Sequence, residues 1–177
     1  MDEGRVDAPQ DFAAGSRAEG ADRTLLATYA VLRDRLPDLS RVQTLVTSVL
    51  LDSAESDPAP ASGTPKGFLP VHGADAIRIV DNCARCVVYV WRDDCPPCET
   101  IRSNLGAVFG NDPPDGVLPL SVYGPDAAGR LREEYDVVGG PTTLFTLDGR
   151  VDARFVGVAE VDAIEREIGI LRDRSGQ

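Results

Sequence analysis

The sequence has few of the residues that would indicate binding to nucleic acid or to a membrane. Basic residues number 18 against 29 acidic residues, which gives a net charge of −11. A surface of this charge repels phosphate backbones and anionic lipid, so we expect neither nucleic acid nor membrane as a partner. The longest uncharged run near the N-terminus covers only residues 42–51. A membrane span needs roughly 18–20 apolar residues.

Cysteine and histidine are also scarce. Four cysteines in 177 residues are too few for a secreted scaffold built from disulfides. The first residues, Met1–Gly4, lack the basic and apolar segments of a secretory signal. We therefore expect a cytoplasmic protein. His72 is the only histidine, and no serine or cysteine is spaced to use it, so we expect neither a catalytic histidine nor a metal site or cofactor that depends on one.

Lysine is almost absent, since Lys66 is the only lysine among the 18 basic residues. Aspartate greatly outnumbers glutamate. This composition resembles that of proteins from halophilic archaea, whose surfaces are acidic and poor in lysine. A GC-rich genome, which favours codons for Arg, Ala, Gly and Asp, is the alternative explanation.

The composition divides the chain into segments. Residues 1–21 are polar and have no periodicity, which predicts a disordered leader. Apolar stripes over residues 22–52 predict a helical arm of one or two amphipathic helices, with Pro37 as the break or kink. Residues 53–66 are rich in Pro, Ala and Ser and are interpreted as a linker. The arm is too short to fold alone, so we expect it to pack on the rest of the chain, on a second copy or on another protein.

Residues 67–172 form the predicted domain, and a tail of residues 173–177 follows it. The apolar run Val87–Trp91 predicts a buried strand, and Asp148-Gly149 predicts a hairpin turn. Helices that alternate with strands, followed by a hairpin and a helix, predict an α/β fold with a mixed central sheet between two helical layers. The predicted strands cover residues 68–71, 86–91, 117–123, 142–147 and 154–158, and the predicted helices cover residues 74–83, 98–108, 126–135 and 161–171.

The four cysteines form two C-x-x-C pairs, Cys83/Cys86 and Cys95/Cys98. The second pair lies at a junction of strand and helix, which indicates redox chemistry. A strand rises about 3.3 Å per residue, so the ends of a strand over residues 86–91 lie roughly 17–20 Å apart. That distance argues against one zinc site shared by all four cysteines. Cys83 and Cys86 are buried core cysteines, a second disulfide or redox pair, or a separate metal site.

Residues 67–172 resemble the thioredoxin family in three features taken together. Trp91 ends an apolar strand shortly before a C-x-x-C pair that opens a helix. Gly140-Pro141-Thr142 then opens a strand about forty residues later. Asp148-Gly149 forms a hairpin turn, and a terminal helix follows. The resemblance implies a thioredoxin-like fold and a thiol–disulfide oxidoreductase that needs no cofactor.

The resemblance also implies roles for individual residues. Cys95 would be the attacking thiolate at a helix N-terminus, and Cys98 would be the resolving thiol. Pro141 would take the cis form beside the cysteine pair. The implied partners are protein disulfide substrates and a reductase. The residues implied to bind substrate or support the site are Trp91, Pro96, Pro97, Gly140, Pro141 and Thr142.

The site departs from the family pattern next to Cys95. Asp93 and Asp94 precede it, where the family commonly has Trp immediately before the first cysteine. These carboxylates disfavour a neighbouring thiolate unless salt screens them. Tyr89 replaces a buried Asp that assists proton transfer in the family. We therefore expect an oxidoreductase with altered tuning and few partners. The alternative is a binding or regulatory module of low redox activity that docks one partner.

Overall fold

The computed structural model describes residue 59 and residues 61–174, in which the predicted strands and helices are present in the predicted order. The predicted leader and the helical arm lie outside these residues, as do most of residues 53–60 and the end of the tail. The strands are β1 (Leu69–Val71), β2 (Arg85–Trp91), β3 (Leu118–Tyr123), β4 (Thr142–Leu147) and β5 (Arg150–Val156). The helices are α1 (Gly73–Asn82), α2 (Pro96–Phe109), α3 (Ala128–Tyr135) and α4 (Val161–Asp173).

The strands form one mixed sheet in the order β1-β3-β2-β4-β5. β1, β3 and β2 are parallel, whereas β4 is antiparallel to both β2 and β5. β2 lies in the middle, and every residue after Arg85 in this strand is buried. A strand covered on both faces needs apolar side chains on both, which explains the uninterrupted apolar run Val87–Trp91.

Helices cover both faces of the sheet. α1 and α3 pack on one face, and α2 and α4 pack on the other. Successive side chains of a strand point to opposite faces. In β2, residues 86, 88 and 90 point toward α1 and α3, and residues 87, 89 and 91 point toward α2 and α4. The predicted three-layer α/β fold with a mixed central sheet is therefore confirmed.

The last strand begins earlier than predicted. β5 starts at Arg150, directly after a tight turn in which Asp148 and Gly149 have positive φ angles of 49° and 81°. Leu147 pairs with Arg150 across this turn. The sequence analysis placed this strand at residues 154–158, whereas the first four residues of β5 include the charged Arg150 and Asp152 and are all at least partly exposed, as expected at the edge of a sheet.

The second half of the predicted linker packs on the domain. Ala59 is buried in the core beneath α2. A single turn of 3₁₀-helix, Ala61–Gly63, follows. The guanidinium of Arg102 in α2 donates a hydrogen bond to the carbonyl oxygen of Ser62 at 2.8 Å. The folded part of the chain therefore begins before residue 67, where the sequence analysis placed the start of the domain.

His72 has a local structural role at the start of α1. Its Nδ1 atom accepts a hydrogen bond from the N–H of Ala74 at 3.2 Å, which satisfies one of the free donors of the first helical turn.

None of the helices in residues 61–174 has both the length and the apolar character required to cross a bilayer.

Candidate dithiol site

Cys95 and Cys98 lie where β2 leads into α2. Cys95 is the N-cap of α2, and Pro96 occupies the first helical position, where a missing N–H costs no helical hydrogen bond. The two cysteines form a disulfide with their Cα atoms 5.2 Å apart. Their side chains are only 6% and 5% exposed. The disulfide therefore lies just below the surface at the N-terminus of a helix.

The backbone of the first turn of α2 faces the sulfur of Cys95. The N–H of Cys98 lies 3.3 Å from Cys95 Sγ. N–H groups and the positive end of the helix dipole stabilise an anion at this position. When the pair is reduced, the same geometry favours a thiolate at Cys95 and places Cys98 one turn along the helix, in position to attack a mixed disulfide formed by Cys95.

The loop before β4 lies against the disulfide. The Gly140–Pro141 peptide bond is cis, and the carbonyl oxygen of Gly140 lies 4.0 Å from Cys95 Sγ. The hydroxyl of Thr142 donates a hydrogen bond to the carbonyl oxygen of Gly139 at 2.7 Å, which closes the turn at the start of β4. The structure thus places the three residues implied by the resemblance, at positions 140–142, beside the cysteine pair.

Tyr89 anchors the first turn of α2 from below. Its hydroxyl donates a hydrogen bond to the carbonyl oxygen of Cys98 at 2.8 Å. The ring is fully buried and meets Phe68 edge-on, with 6.4 Å between the ring centroids. Burial raises the pKa of Tyr89 above its ordinary value, so the hydroxyl stays protonated at neutral pH. Tyr89 therefore positions the backbone of Cys98 and does not exchange a proton there at neutral pH.

Trp91 is fixed by a chain of hydroxyl groups that sequence analysis did not identify. Its indole N–H donates a hydrogen bond to Ser121 Oγ at 3.1 Å, and the same oxygen accepts from the hydroxyl of Thr64 at 3.0 Å. The ring also lies against Tyr123, with centroids 4.9 Å apart. Ser121 was the signal in the sequence that could have indicated this contact. It places a hydroxyl in a strand that is otherwise largely apolar, and a buried polar group needs a hydrogen-bond partner.

Gly63 allows the chain before β1 to cover Trp91. A Cβ atom added to Gly63 would overlap the six-membered ring of Trp91, and the Trp91 side chain is only 4% exposed. Nothing in the sequence distinguished this glycine from its neighbours in the predicted linker. The covered ring lies four residues before Cys95, so the segment over it forms part of the wall of the site.

The variant Gly63→Ala is expected to uncover Trp91. The added methyl group displaces either the segment or the ring, and water then reaches the indole. Trp91 is the only tryptophan, so its fluorescence emission should shift to longer wavelength. Gly169→Ala in α4 is the matched control, since a Cβ there meets no atom within 4 Å. Emission of Gly63→Ala identical to that of the unchanged protein would contradict the packing described here.

The two aspartates before Cys95 have different contacts. Asp93 accepts a hydrogen bond from the hydroxyl of Tyr123, which ties the loop to the end of β3. This bond is the largest cause that raises the pKa of Tyr123, and the charges of Asp126 and Asp94 act in the same direction. Asp94 has a φ of 49°, a left-handed conformation that aspartate tolerates better than most residues. It forms the bend that delivers the chain to Cys95.

A groove is lined in part by Gly140. Its volume is about 360 Å³, and its walls come from the end of β2, the turn before α3, α3 itself and the loop before Pro141. Arg92 and Arg132 contribute its charged side chains, and Val138 lies at its edge. The groove thus reaches the site through the backbone of Gly140.

Two exposed valines lie in the loop before Pro141 and in the strand that pairs with β4. Val138 is 73% exposed and Val156 is 77% exposed. The N–H of Gly157, which follows Val156, donates a hydrogen bond to the carbonyl oxygen of Pro141 at 2.9 Å. Apolar side chains left in water beside a near-surface disulfide form a surface suited to binding another polypeptide.

Cys83 and Cys86 do not contribute to this site. Both are buried free thiols, so the second disulfide, which was one of the three alternatives that the sequence left open, is not formed in the structure. Cys86 lies at the opposite end of β2 from Trp91 and on the opposite face of the sheet. Within residues 59 and 61–174, no three His, Cys, Asp or Glu side chains are grouped to hold a metal ion.

Thioredoxins are among the solved structures that are similar to this chain. A single-residue mutant of thioredoxin from Halobacterium salinarum NRC-1 has a TM-score of 0.49 at 16% identity, covering 64% of this chain and 95% of its own. Oxidised mitochondrial thioredoxin 3 from Saccharomyces cerevisiae has a TM-score of 0.48 at 17% identity, and the match covers 62% of this chain and 96% of the thioredoxin chain. Reduced desulfothioredoxin from Desulfovibrio vulgaris Hildenborough has a TM-score of 0.44 at 24% identity, and the match covers 55% of this chain and 86% of the desulfothioredoxin chain. No protein-family model matches the sequence, and no curated protein matches it.

The fold is thioredoxin-like. The element order, the mixed five-stranded sheet and the C-x-x-C pair at the start of α2 carry this conclusion. Within this thioredoxin-like domain, the residues predicted for the site lie around one disulfide: Trp91, Asp93, Asp94, Cys95, Pro96, Pro97, Cys98, Gly140, Pro141 and Thr142.

Proposed function

We propose that this protein is a thiol–disulfide oxidoreductase that reduces disulfide bonds of other proteins through Cys95 and Cys98. The observation that supports this most directly is the position of Cys95. Its sulfur lies at the N-terminus of α2, 3.3 Å from the N–H of Cys98 and 4.0 Å from the carbonyl oxygen of Gly140. A helix start stabilises the thiolate, and the nearby backbone is placed to contact a bound chain.

The reaction begins with both cysteines reduced. The Cys95 thiolate attacks one sulfur of the substrate disulfide, and the other substrate sulfur leaves as a thiolate that takes up a proton. Cys98 then loses its proton and attacks Cys95 Sγ. The second substrate sulfur leaves, and the Cys95–Cys98 disulfide remains. Two electrons have passed to the substrate, so a separate reductase must supply two electrons before the next cycle.

The exposed apolar surface near Pro141 favours proteins over small disulfides as substrates. Val138, three residues before Pro141, and Val156, which pairs with Thr142 across the sheet, both expose apolar side chains. An extended polypeptide lying there would run past the carbonyl oxygen of Gly140 and bring its disulfide to Cys95. Burial of these valines by the substrate contributes binding free energy through the hydrophobic effect.

We place this activity in a reducing cytoplasm, where dithiol proteins act mainly as reductants. The acidic composition with a single lysine supports a halophilic source and a setting of high salt. Salt weakens repulsion between the exposed carboxylates at positions 93 and 94 and an approaching anionic substrate or the Cys95 thiolate. Assays of this protein therefore need a series of salt concentrations.

Reduction of a disulfide-containing test protein, with dithiothreitol as the electron donor, tests the proposal. We expect the unchanged protein to accelerate the reaction and Cys95→Ser to lower the acceleration by more than about a hundredfold, because the nucleophile is lost. The assay is run at low and at high salt. Activity of the unchanged protein no greater than that of Cys95→Ser at every salt concentration would overturn the proposal.

Asp94→Asn is expected to make reduced Cys95 more reactive at low salt. An exposed charge next to a thiolate contributes about 1 kcal/mol or less, so we expect roughly a two- to fivefold faster alkylation by iodoacetamide at neutral pH. Asparagine also tolerates the left-handed backbone of this position. High salt should abolish the difference. Asp115→Asn, an exposed site before β3, is the control, and an equal effect there would exclude a local role for Asp94.

A further inference from the structure

Cys83 and Cys86 form a second pair of buried thiols, and both side chains belong to the core between the sheet and helices α1 and α3. Cys83 is the C-cap residue of α1, and Cys86 is the second residue of β2. The Cys83 thiol donates a hydrogen bond to the carbonyl oxygen of Arg85 at 3.3 Å. The spacing of the two cysteines is the same as in the pair Cys95/Cys98, which is bonded with Cα atoms 5.2 Å apart, so we expect rotation of the side chains to allow a disulfide here as well.

This pair is separated from the disulfide at Cys95 in two ways. Cys86 belongs to the core between the sheet and helices α1 and α3, whereas Cys95 and Cys98 belong to the core beneath α2 and α4. The pairs also lie at opposite ends of β2, whose length separates them by roughly 17–20 Å. Direct exchange between the two pairs is therefore excluded without unfolding of β2.

We propose that Cys83 and Cys86 are a second dithiol, which forms a reversible disulfide by exchange with a low-molecular-weight disulfide, with Cys83 as the attacking thiol and Cys86 as the resolving thiol. The proposal does not depend on the activity proposed for Cys95 and Cys98. The end of β2 next to α1 is then oxidised independently of Cys95 and Cys98.

The burial of the two thiols gives them different roles. Cys83 is 8% exposed, close to the 6% of Cys95, whereas Cys86 has no exposed surface. A reagent in solution can therefore reach Cys83 first. The neighbouring Cys86 side chain is the main cause that lowers the pKa of the Cys83 thiol, and the backbone and the charge of Arg85 act in the same direction, while burial opposes them. Burial raises the pKa of the Cys86 thiol, which keeps it protonated until the first exchange has occurred.

The exchange balances as two displacements. The Cys83 thiolate attacks the small disulfide, forms a mixed disulfide and releases one small thiolate. That thiolate takes the proton of the Cys86 thiol. Cys86 then attacks Cys83 Sγ and releases the second small thiolate, which is protonated by water. The protein has lost two electrons and two protons, and the small disulfide has become two thiols. An added dithiol such as dithiothreitol reverses both steps.

Peptide mapping of the full-length protein tests the proposal, because Arg85 lies between the two cysteines. The native protein is incubated with glutathione disulfide, then unfolded in urea with iodoacetamide to block its remaining thiols, and digested with trypsin without reduction. Cleavage after Arg78, Arg85 and Arg92 yields peptides 79–85 and 86–92. We expect these two peptides to be recovered joined by a disulfide, and dithiothreitol to separate them. Cys95 and Cys98 remain together in peptide 93–102.

The variant Cys95→Ser/Cys98→Ser shows whether the second pair reacts alone. After unfolding, its count of free thiols is expected to fall from two to none once glutathione disulfide has acted. When Cys86→Ser is added to this double variant, glutathione should stay attached to Cys83, because the resolving thiol is missing. Adding Cys83→Ser instead should leave Cys86 unmodified, because that thiol is fully buried.

Three results would overturn the proposal. One is recovery of peptides 79–85 and 86–92 separately, with both cysteines alkylated. Another is a stable glutathione adduct on Cys83 of the unchanged protein, which would mean that Cys86 cannot resolve it. The third is a disulfide that joins peptide 79–85 or 86–92 to peptide 93–102, which would mean that the two pairs exchange. The mapping uses the unchanged protein, so none of these outcomes depends on the folding of a variant.

Discussion

Cys98→Ser is expected to convert a transient mixed disulfide into a stable covalent complex between Cys95 and its substrate. In the unchanged protein the resolving sulfur is one helical turn from Cys95 and already bonded to it. A serine hydroxyl does not displace a thiolate from a disulfide, so the second step stops. The lifetime of the complex should lengthen roughly from seconds to hours. Reduced variant mixed with cell extract and separated on a non-reducing gel measures this directly.

The result distinguishes an oxidoreductase from a docking module. Bands captured by Cys98→Ser should disappear with dithiothreitol and should be absent from Cys95→Ser/Cys98→Ser. Cys86→Ser should behave like the unchanged protein, because Cys86 lies on the other face of the sheet. If the same partners bind all variants and resist reduction, the chain acts as a binding module, which is the alternative that the sequence left open.

Phe68→Ala is expected to cost about 3–5 kcal/mol of unfolding free energy, as is usual when a fully buried aromatic ring is removed. The Phe68 side chain has no exposed surface. It meets Phe109 edge-on with ring centroids 4.9 Å apart and Tyr89 at 6.4 Å. A domain of this kind is stable by only about 5–15 kcal/mol in total, so the variant should unfold at much lower urea concentration. Equilibrium unfolding in urea, followed by far-ultraviolet circular dichroism, gives the difference.

Phe155→Ala is the matched control for this loss. Its ring also makes one edge-on aromatic contact, with Phe145 at 5.3 Å, but it lies on the edge strand β5 and is only partly buried. Less apolar surface is lost there, and neighbouring side chains can close the gap more easily. We expect its loss to be less than about half that of Phe68→Ala. Equal losses would contradict the expectation that the complete burial of Phe68 makes its removal more costly.

The central elements of the fold could be predicted because their signals are local. The apolar run Val87–Trp91 indicates a strand buried on both faces, and Asp148-Gly149 indicates a tight turn. The C-x-x-C pair at the start of α2 follows from the same local pattern. These features need no knowledge of which distant residues touch, so the sequence alone was sufficient for them.

The surroundings of Trp91 could not be predicted because they depend on contacts between distant parts of the chain. Thr64 and Ser121 are 57 residues apart, and Ser62 and Arg102 are 40 residues apart. The composition of the segment before β1 indicates a linker whether or not it packs on the domain. Only the folded structure shows that Gly63 is the residue that permits close contact with the indole.

The hydrogen bond between Tyr123 and Asp93 could not be predicted for the same reason, because it joins two distant parts of the chain. Parallel pairing of β2 with β3 sets Trp91 opposite Tyr123, which brings the tyrosine hydroxyl to the loop before Cys95. The register of two parallel strands is fixed by packing across the whole sheet. The sequence identified Asp93 as a charge near Cys95, and the structure adds the partner that holds it.

The alternation of side chains along β2 limits how its length can change in related proteins. Cys86 and Trp91 lie an odd number of positions apart and therefore point to opposite faces of the sheet. Insertion or deletion of one residue between them would turn one of the two toward the wrong helical layer. It would bring a thiol beneath α2 or expel the indole from its place beside the disulfide. We therefore expect natural variation in β2 to replace residues and to avoid single-residue insertions and deletions.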